Sequence, residues 1–216
     1  MSSEREDRKR EEILDKAIAL FFERGIASLT MESLAARLGV SKVTLYKYFP
    51  GKDQLIGSAV ERRMEIVAGQ LEAMDRLPAG AFIERIGLFF DVVDQFVKPA
   101  MAVFFRDLAS EAPWLWDRIQ RFRAERVFPK LARLIEEGQA AGYVRSDLDK
   151  GLAATLLVAM AEQVARPDFI YRLPVPPTEV VGAIVSILLG GILNDKGREL
   201  LGSGLAPSAA RDKERT

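Results

Sequence analysis

The sequence predicts an all-α fold of about nine helices, and three observations lead to this prediction. Apolar residues recur at helical spacing along most of the 216-residue chain. No segment shows the strict alternation of apolar and polar residues that is typical of a half-buried strand. Proline and glycine lie where helices would have to end, for example at Pro50-Gly51, between Pro78 and Gly80, and at Gly142.

Three short helices are predicted before residue 51. The apolar stripe of the first helix ends at Gly25, a residue type that is common just beyond a helix C-terminus. Thr30 is expected to cap the second helix, which stops at Gly39, and Ser41 is expected to cap the third, which runs to about Tyr48. The stripe of the first helix consists of Ile13, Leu14, Ala17, Ile18, Phe21 and Phe22.

The predicted helices after residue 51 are longer. Pro99 and Pro113 are each expected to open a helix, because proline is tolerated in a first turn, and Pro129 is expected to kink one. The ranges are about 52–76, 81–97, a shorter helix from 99, 113–141, 147–166 and 178–201. The Gly-, Ala- and Ser-rich start of residues 202–216 and their charged end predict a disordered tail.

Composition argues against an enzyme and against a membrane protein. Lys and Arg number 31, as do Asp and Glu, and the chain has neither cysteine nor histidine. The commonest general base and the commonest metal ligand are therefore missing, so we expect no catalytic residue, no metal and no cofactor. The N-terminus is polar, and the longest apolar run, residues 180–193, is shorter than the roughly 20 residues that span a bilayer. We expect a soluble, cytoplasmic protein without a membrane partner.

Residues 30–55 have the pattern of a helix-turn-helix. Two short helices meet at Gly39, where a left-handed backbone is needed, and Ala35 is small where the helices must cross closely. Leu45 is the expected buried anchor of the second helix. Neither helix is long enough to be stable alone, so the two must share a core. The other residues expected in this core are Leu34, Leu38, Val40 and Phe49.

The same segment concentrates positive charge inside a chain that has no net charge. Residues 33–52 contain no acid and four bases, which are Arg37, Lys42, Lys47 and Lys52. A cation at position 52 opposes the dipole of the helix that starts there, which is easier to explain if a phosphate lies opposite. Such a segment either binds DNA or is only a solvated surface, and spacing and charge alone leave both interpretations open.

Two stretches of this segment carry a family resemblance, FFERGIASLT at residues 21–30 and GVSKVTLYKYFPGKDQLI at residues 39–56. With their surroundings, from residue 13 to residue 59, they closely resemble the tetracycline-repressor (TetR) family of transcriptional regulators. Gly51 departs from the Ser or Asn that the family often has before its fourth helix. Lys47 occupies a position that the family varies to choose its operator.

The resemblance implies a homodimeric regulator in two parts. A helix-turn-helix domain at residues 1–51 would bind operator DNA, and a helical domain at residues 52–201 would bind a small effector and dimerise. A twofold protein implies an operator with an inverted repeat. Transferred by matching position, the DNA contacts are Thr30, Lys42, Val43, Thr44, Tyr46, Lys47, Tyr48 and Lys52. The first three residues of the recognition helix are expected to read bases, and the two tyrosines and Lys52 to contact phosphates.

Aromatic residues concentrate between residues 82 and 128. Each could simply pack the core, but together they exceed what three helices usually need, which favours a pocket for a lipophilic or aromatic effector, neutral or cationic. The acids of this segment, among them Asp107 and Glu111, are expected mostly at the surface. The candidate pocket residues are Phe89, Phe90, Phe104, Phe105, Trp114, Trp116 and Phe122.

The last two predicted helices carry apolar stripes, and the final one is apolar on almost every side. Such a helix must be buried, either within its own monomer or against a second copy. We favour a twofold interface of two helices from each subunit. The candidate interface residues are Leu152, Leu156, Met160, Val181, Ile184, Ile187, Leu188 and Gly191.

Three classes of function remain at this point. The sequence favours a ligand-responsive repressor. A DNA-binding protein whose C-terminal half recognises another protein is the second class. An all-α enzyme with an accidental helix-turn-helix is the third, and the missing histidine and cysteine disfavour it.

Overall fold

The computed structural model describes residues 2–78, 80–94, 99–164, 187 and 190–202. Regular structure in these ranges is helical apart from one isolated antiparallel bridge between Val144 and Leu193, which confirms the all-α prediction. The helices are α1 (Ser2–Arg24), α2 (Met31–Leu38), α3 (Lys42–Tyr48), α4 (Lys52–Asp75), α5 (Phe82–Asp94), α6 (Pro99–Glu111), α7 (Pro113–Phe122), a π-helical turn (Arg123–Val127), α8 (Phe128–Ala140), α9 (Lys150–Val164) and α10 (Asp195–Gly202). In this part of the chain no helix is long and apolar enough to cross a membrane.

α2 and α3 begin and end where the sequence predicts. α1 ends before Gly25 as expected, but it begins at Ser2 and has 23 residues, so the prediction of a short first helix is wrong. Thr30 caps α2, since its hydroxyl accepts the Ser33 N–H at 3.2 Å while the Ser33 hydroxyl accepts the Thr30 N–H at 3.0 Å. Gly39 follows α2 in the left-handed conformation, with φ of +70°. The Ser41 hydroxyl then accepts the Thr44 N–H at 3.0 Å and starts α3. These local bonds fix the turn that joins α2 to α3.

The predicted helix over 113–141 is helical without a gap from Pro113 to Ala140, but its hydrogen-bonding pattern changes in the middle. Residues 123–127 form a π-helical turn between α7 and α8. Proline lacks an N–H, and its ring clashes with the carbonyl group four residues earlier, so Pro129 cannot extend α-helix from Glu125. In place of the kink expected at Pro129, the structure has the π-helical turn at residues 123–127. Pro129 itself lies in the first turn of α8.

The predicted helix over 178–201 is wrong in its later part. Leu193 leaves the helical conformation to pair with Val144, and α10 starts afresh at Asp195. Asn194 separates the two, because its side chain accepts the Gly197 N–H at 3.0 Å and donates to the Gly142 carbonyl at 2.8 Å. Residues 178–186, 188 and 189 lie outside the described ranges, as does the predicted tail from residue 203 onward.

The described helices form two compact units. The first comprises Met1–Val67 with Ala100–Ile119, and the second comprises Ala68–Pro99 with Gln120–Thr216. In the first unit α6 packs against α1, and the Phe104 and Phe22 rings meet edge to face at 4.9 Å. Asp107 of α6 is buried there, which corrects the expectation that it lies at the surface. The functional boundary predicted at residue 51 does not anticipate this packing of α6 and α7 with the N-terminal helices.

One arginine links three helices of the second unit. The Arg85 guanidinium donates to the carbonyl groups of Met74, Leu77 and Pro78 at 3.1, 2.7 and 3.1 Å. It also pairs with Glu137 of α8 at 2.8 Å. Carbonyl groups at a helix C-terminus have no partner within the helix, so Arg85 both satisfies the end of α4 and joins it to α8.

Candidate nucleic-acid interface

The helix-turn-helix is held by the core that its sequence predicts. Leu34, Ala35, Leu38 and Leu45 are each at most 3% exposed, and Phe49 is 1% exposed. Val40, also expected in this core, is only half-buried. One face of α3 is thereby fixed against α2, and its other face is left to the solvent.

The free face of α3 is apolar as well as charged. Val43 is 81% exposed and Tyr46 is 39% exposed, beside the exposed Lys42 and Lys47. An exposed valine gains nothing from contact with water, whereas its methyl groups suit contact with a thymine methyl in a major groove. Thr44 is half-buried, and its hydroxyl lies 2.8 Å from that of Ser41.

The two lysines of α3 are held by acids from other helices. Lys42 forms an ion pair with Glu32 of α2, and Lys47 forms one with Glu6 of α1. Each ammonium group also lies over a tyrosine ring, Lys42 over Tyr46 at 5.7 Å and Lys47 over Tyr48 at 5.5 Å. The hydrogen bond to Glu32 raises the pKa of Lys42, and the bond to Glu6 does the same for the pKa of Lys47. Each carboxylate therefore offsets part of the positive charge that its lysine presents to DNA.

Sequence reasoning missed both acids. Glu32 lies one residue before the acid-free segment, and Glu6 is 41 residues from Lys47 in the chain. The proximity of Glu32 in sequence was a usable signal, because Glu32 lies on the helix that the turn joins to α3. No sequence pattern indicates that Glu6 reaches α3.

The remaining candidate DNA contacts border this face. Thr30 is exposed at the N-terminus of α2, and Tyr48 is half-buried at the end of α3. The Lys52 side chain is 24% exposed at the start of α4, and its ammonium group lies 4.0 Å from Glu111 of α6. Helix N-termini carry positive partial charge, so both Thr30 and Lys52 mark places that favour a phosphate.

The candidate pocket residues fall in both units. In the first unit the Phe105 ring lies 5.5 Å from Phe104 and 5.9 Å from Trp116, between ring centroids. Trp114, which is 46% exposed, instead borders a cleft of about 440 Å³ whose lining includes Tyr48 and Phe49. Phe89 is buried and Phe122 half-buried in the second unit, and the side chain of Phe90 lies outside the described residues.

The candidate dimer residues on α9 are exposed apolar side chains. Leu152 is 59% exposed and Leu156 52% exposed, and Met160 is half-buried. Ile187 is 70% exposed, and Gly191 is exposed too. Val181, Ile184 and Leu188 lie outside the described residues. Among the described residues, no three acidic side chains gather as a metal site would need.

A buried two-helix core that presents a cationic and apolar helix to solvent defines a helix-turn-helix DNA-binding protein. Residues 13–59 match the sequence profile of the bacterial regulatory proteins of the tetR family. The chain belongs to the TetR family and is a DNA-binding transcriptional regulator.

Similar proteins extend the match beyond the helix-turn-helix. The chain is 23% identical over 197 residues to the transcriptional repressor KstR2 of Mycolicibacterium smegmatis, across 88% of this chain and 93% of that one. It is 30% identical over 142 residues to the transcriptional regulator RutR of Escherichia coli, across 64% and 63% of the two chains. The structure resembles that of SmeT, the repressor of a Stenotrophomonas maltophilia multidrug efflux pump, in complex with triclosan. That likeness, with a TM-score of 0.61 and 21% identity over 86% of this chain and 92% of SmeT, shows the fold.

Removing either acid that pairs with α3 should strengthen DNA binding. Glu6→Gln and Glu32→Gln keep the side-chain length but release the lysine, so we expect each to raise affinity by about two- to fivefold. Glu136→Gln is the matched control, since Glu136 pairs with Lys150 at 2.5 Å, on α8 and α9. Fluorescence anisotropy with a duplex selected from random-sequence DNA measures the change. Unchanged affinity in both variants, or an equal gain in the control, would contradict the prediction.

Proposed function

We propose that the protein is a homodimeric repressor that binds an inverted-repeat operator and is released from it by a small lipophilic or aromatic effector. The observation that carries this proposal is the outer face of α3, where Val43 is 81% exposed between two lysines. An apolar side chain flanked by cations suits a major groove, which offers thymine methyl groups, guanine acceptors and a phosphate on either side.

The side chains of this face divide into two roles. Lys42, Val43 and Thr44 lie in the first turn of α3, the part of a recognition helix that meets base edges. Lysine can donate to guanine O6 and N7, and the methyl groups of valine and threonine can contact thymine. Tyr46, Lys47 and Tyr48 come later in the helix, where phosphate contacts fix its register in the groove without reading sequence. Thr30 and Lys52, at the starts of α2 and α4, would bind phosphates in the same way.

Two lysine substitutions separate these roles. Lys42→Ala should lower affinity for the selected operator by about tenfold and relax the preference at one base pair, because a base contact is lost. Lys52→Ala should weaken binding to all sequences alike and reduce the slope of log affinity against log salt by about one. Anisotropy titrations with operator and scrambled duplexes at several salt concentrations test both. If both variants bind the operator as tightly as the wild type, the assigned surface is wrong.

Dimerisation is supported by the exposed leucines of α9. Leu152 and Leu156 are four residues apart, so they lie on the same side of the helix, and both are more than half exposed in the single chain. Ile187, on the segment predicted to be the second interface helix, is 70% exposed. Apolar side chains of this size at such exposure are typical of a surface that a second copy covers.

Charge placed on this surface should separate the subunits. Leu156→Arg and Ile187→Arg would each bury an unpaired cation in an apolar interface, so we expect the dissociation constant of the dimer to rise about a hundredfold or more. Leu88→Arg is the control, because Leu88 is an exposed leucine of α5, 38% exposed, outside the proposed interface. Sedimentation velocity at micromolar concentration measures the change. A dimer that persists in both variants would place the interface elsewhere.

Two observations support the class of effector. Phe105 and Trp116 meet at 5.9 Å in a nearly perpendicular arrangement, and Trp116 is only half-buried, so part of this aromatic surface is accessible. SmeT, which is similar in fold, has been solved with triclosan, a lipophilic aromatic compound. Aromatic side chains favour ligands of this kind through apolar contact and edge-to-face packing. Phe104 packs against Phe22 and serves the core as well.

An effector that releases the operator must bind the DNA-free protein more tightly. Compounds that raise the melting temperature in a panel of lipophilic aromatics, triclosan included, would be titrated with and without saturating operator. We expect operator DNA to weaken effector binding by about five- to 150-fold, because coupling between two sites is reciprocal. Equal affinities would contradict release by that compound. A panel without any stabilising compound would instead favour a protein partner for the C-terminal half.

A further inference from the structure

One buried carboxylate from outside residues 1–51 contacts the corner that precedes the helix-turn-helix. Among the residues whose burial the structure describes, Asp107 of α6 is the only buried polar or charged one, at 4% exposed. Buried carboxylates are costly unless hydrogen bonds satisfy them, so the partners of Asp107 identify what its burial serves. Those partners lie at the corner between α1 and α2, residues 25–29.

The Asp107 carboxylate binds two successive backbone N–H groups of this corner. Its Oδ2 atom accepts the Ile26 N–H at 2.9 Å and the Ala27 N–H at 3.0 Å, and its Oδ1 atom accepts from the exposed Arg106 guanidinium at 2.9 Å. Successive N–H groups beside a left-handed residue form a concave anion site. Burial alone would raise the pKa of Asp107, but the hydrogen bonds from Ala27, Arg106 and Ile26 together hold it below its usual range.

The corner is shaped to receive this carboxylate. Gly25 ends α1 with φ of +73°, and a Cβ atom at this position would lie 2.3 Å from Asp107 Oδ2 and 2.8 Å from a methyl carbon of Val103. Glycine is therefore required twice, for its backbone conformation and for the space it leaves. Any side chain here would push α6 away from the corner.

The corner leads directly into α2. Five residues after Gly25 comes Thr30, the cap of α2, and α2 shares its core with the recognition helix. One turn beyond Asp107, Glu111 approaches Lys52 at the start of α4. α6 thus reaches the DNA-binding helices at two points, and the chain on both sides of α6 and α7 belongs to the second unit.

We propose that Asp107 is a positioning residue for DNA binding, which fixes the helix-turn-helix on α6 by binding the corner between α1 and α2. This inference rests on the proposed function, since it concerns how the operator-binding helices are held. The α6 helix, in the half of the chain predicted to be regulatory, would thus hold the operator-binding helices through a specific contact.

The test compares substitutions at the contact with a substitution beside it. Asp107→Asn keeps the shape and one acceptor but loses the charge, and Gly25→Ala keeps the carboxylate but occupies its place. Leu108→Val is the matched control, because Leu108 is fully buried on the same helix and the change removes one carbon while it keeps both Asp107 and Gly25. Arg106→Ala removes only the exposed partner of Asp107. All variants are studied at a temperature where urea titration shows them folded.

Two measurements decide the proposal. In DNA-free protein, hydrogen exchange of the Ile26 and Ala27 amides should speed up about tenfold or more in Asp107→Asn and Gly25→Ala but not in Leu108→Val. Operator affinity should fall about fivefold or more in the first two variants and stay within about twofold in Leu108→Val and Arg106→Ala, even where Leu108→Val loses as much stability.

Three results would overturn it. Unchanged exchange at Ile26 and Ala27 would show that the carboxylate does not hold the corner. Losses of operator affinity that merely follow losses of stability, in Leu108→Val as in Asp107→Asn, would reduce Asp107 to a structural role. Failure of Asp107→Asn to fold at any temperature would do the same. A wild-type protein that selects no DNA would contradict the proposed function, and the exchange measurement would then judge the contact by itself.

Discussion

The apolar core shared by α2 and α3 is the constraint on which the DNA-binding surface depends. Helices of eight and seven residues are too short to persist alone, so each exists only because the other buries its apolar side. Leu45 anchors α3 in this core, and residues two positions before it and one position after it are consequently turned outward. The packing of the buried face of α3 thus determines which residues of α3 are exposed to solvent.

Acidic side chains lower the positive charge of the DNA-binding surface in the free protein. The chain has no net charge, and the two lysines of α3 are matched by Glu6 and Glu32 in the free protein. Exposed ion pairs add little to stability, but they lower the attraction for any polyanion that cannot displace them. A duplex whose major groove makes good contacts with α3 can displace Glu6 and Glu32 from the two lysines, whereas a duplex that makes poor contacts cannot. Local neutrality of this kind favours discrimination over raw affinity.

Features that depend on neighbours in the chain could be predicted from the sequence, and features that depend on distant contacts could not. Caps such as Thr30 and Ser41 act within three residues, so the boundaries of α2 and α3 followed from the sequence. The break at Asn194 involves Gly142, 52 residues away, and the burial of Asp107 involves residues 80 and 81 positions away. Periodicity carries no information about such pairings, which is why one helix was predicted too long and one buried acid was placed at the surface.

The position of the tryptophans gives the protein an uneven optical signal. Both tryptophans of the chain, Trp114 and Trp116, belong to α7 in the first unit. The Trp114 indole is 46% exposed and lies beside Gly57, where a Cβ atom would be 3.0 Å from the ring. The Trp116 indole packs against Phe105. Intrinsic emission excited at the indole band therefore originates from a single helix. Unfolding curves recorded by tryptophan fluorescence therefore follow the first unit. A transition confined to the second unit does not change the emission spectrum.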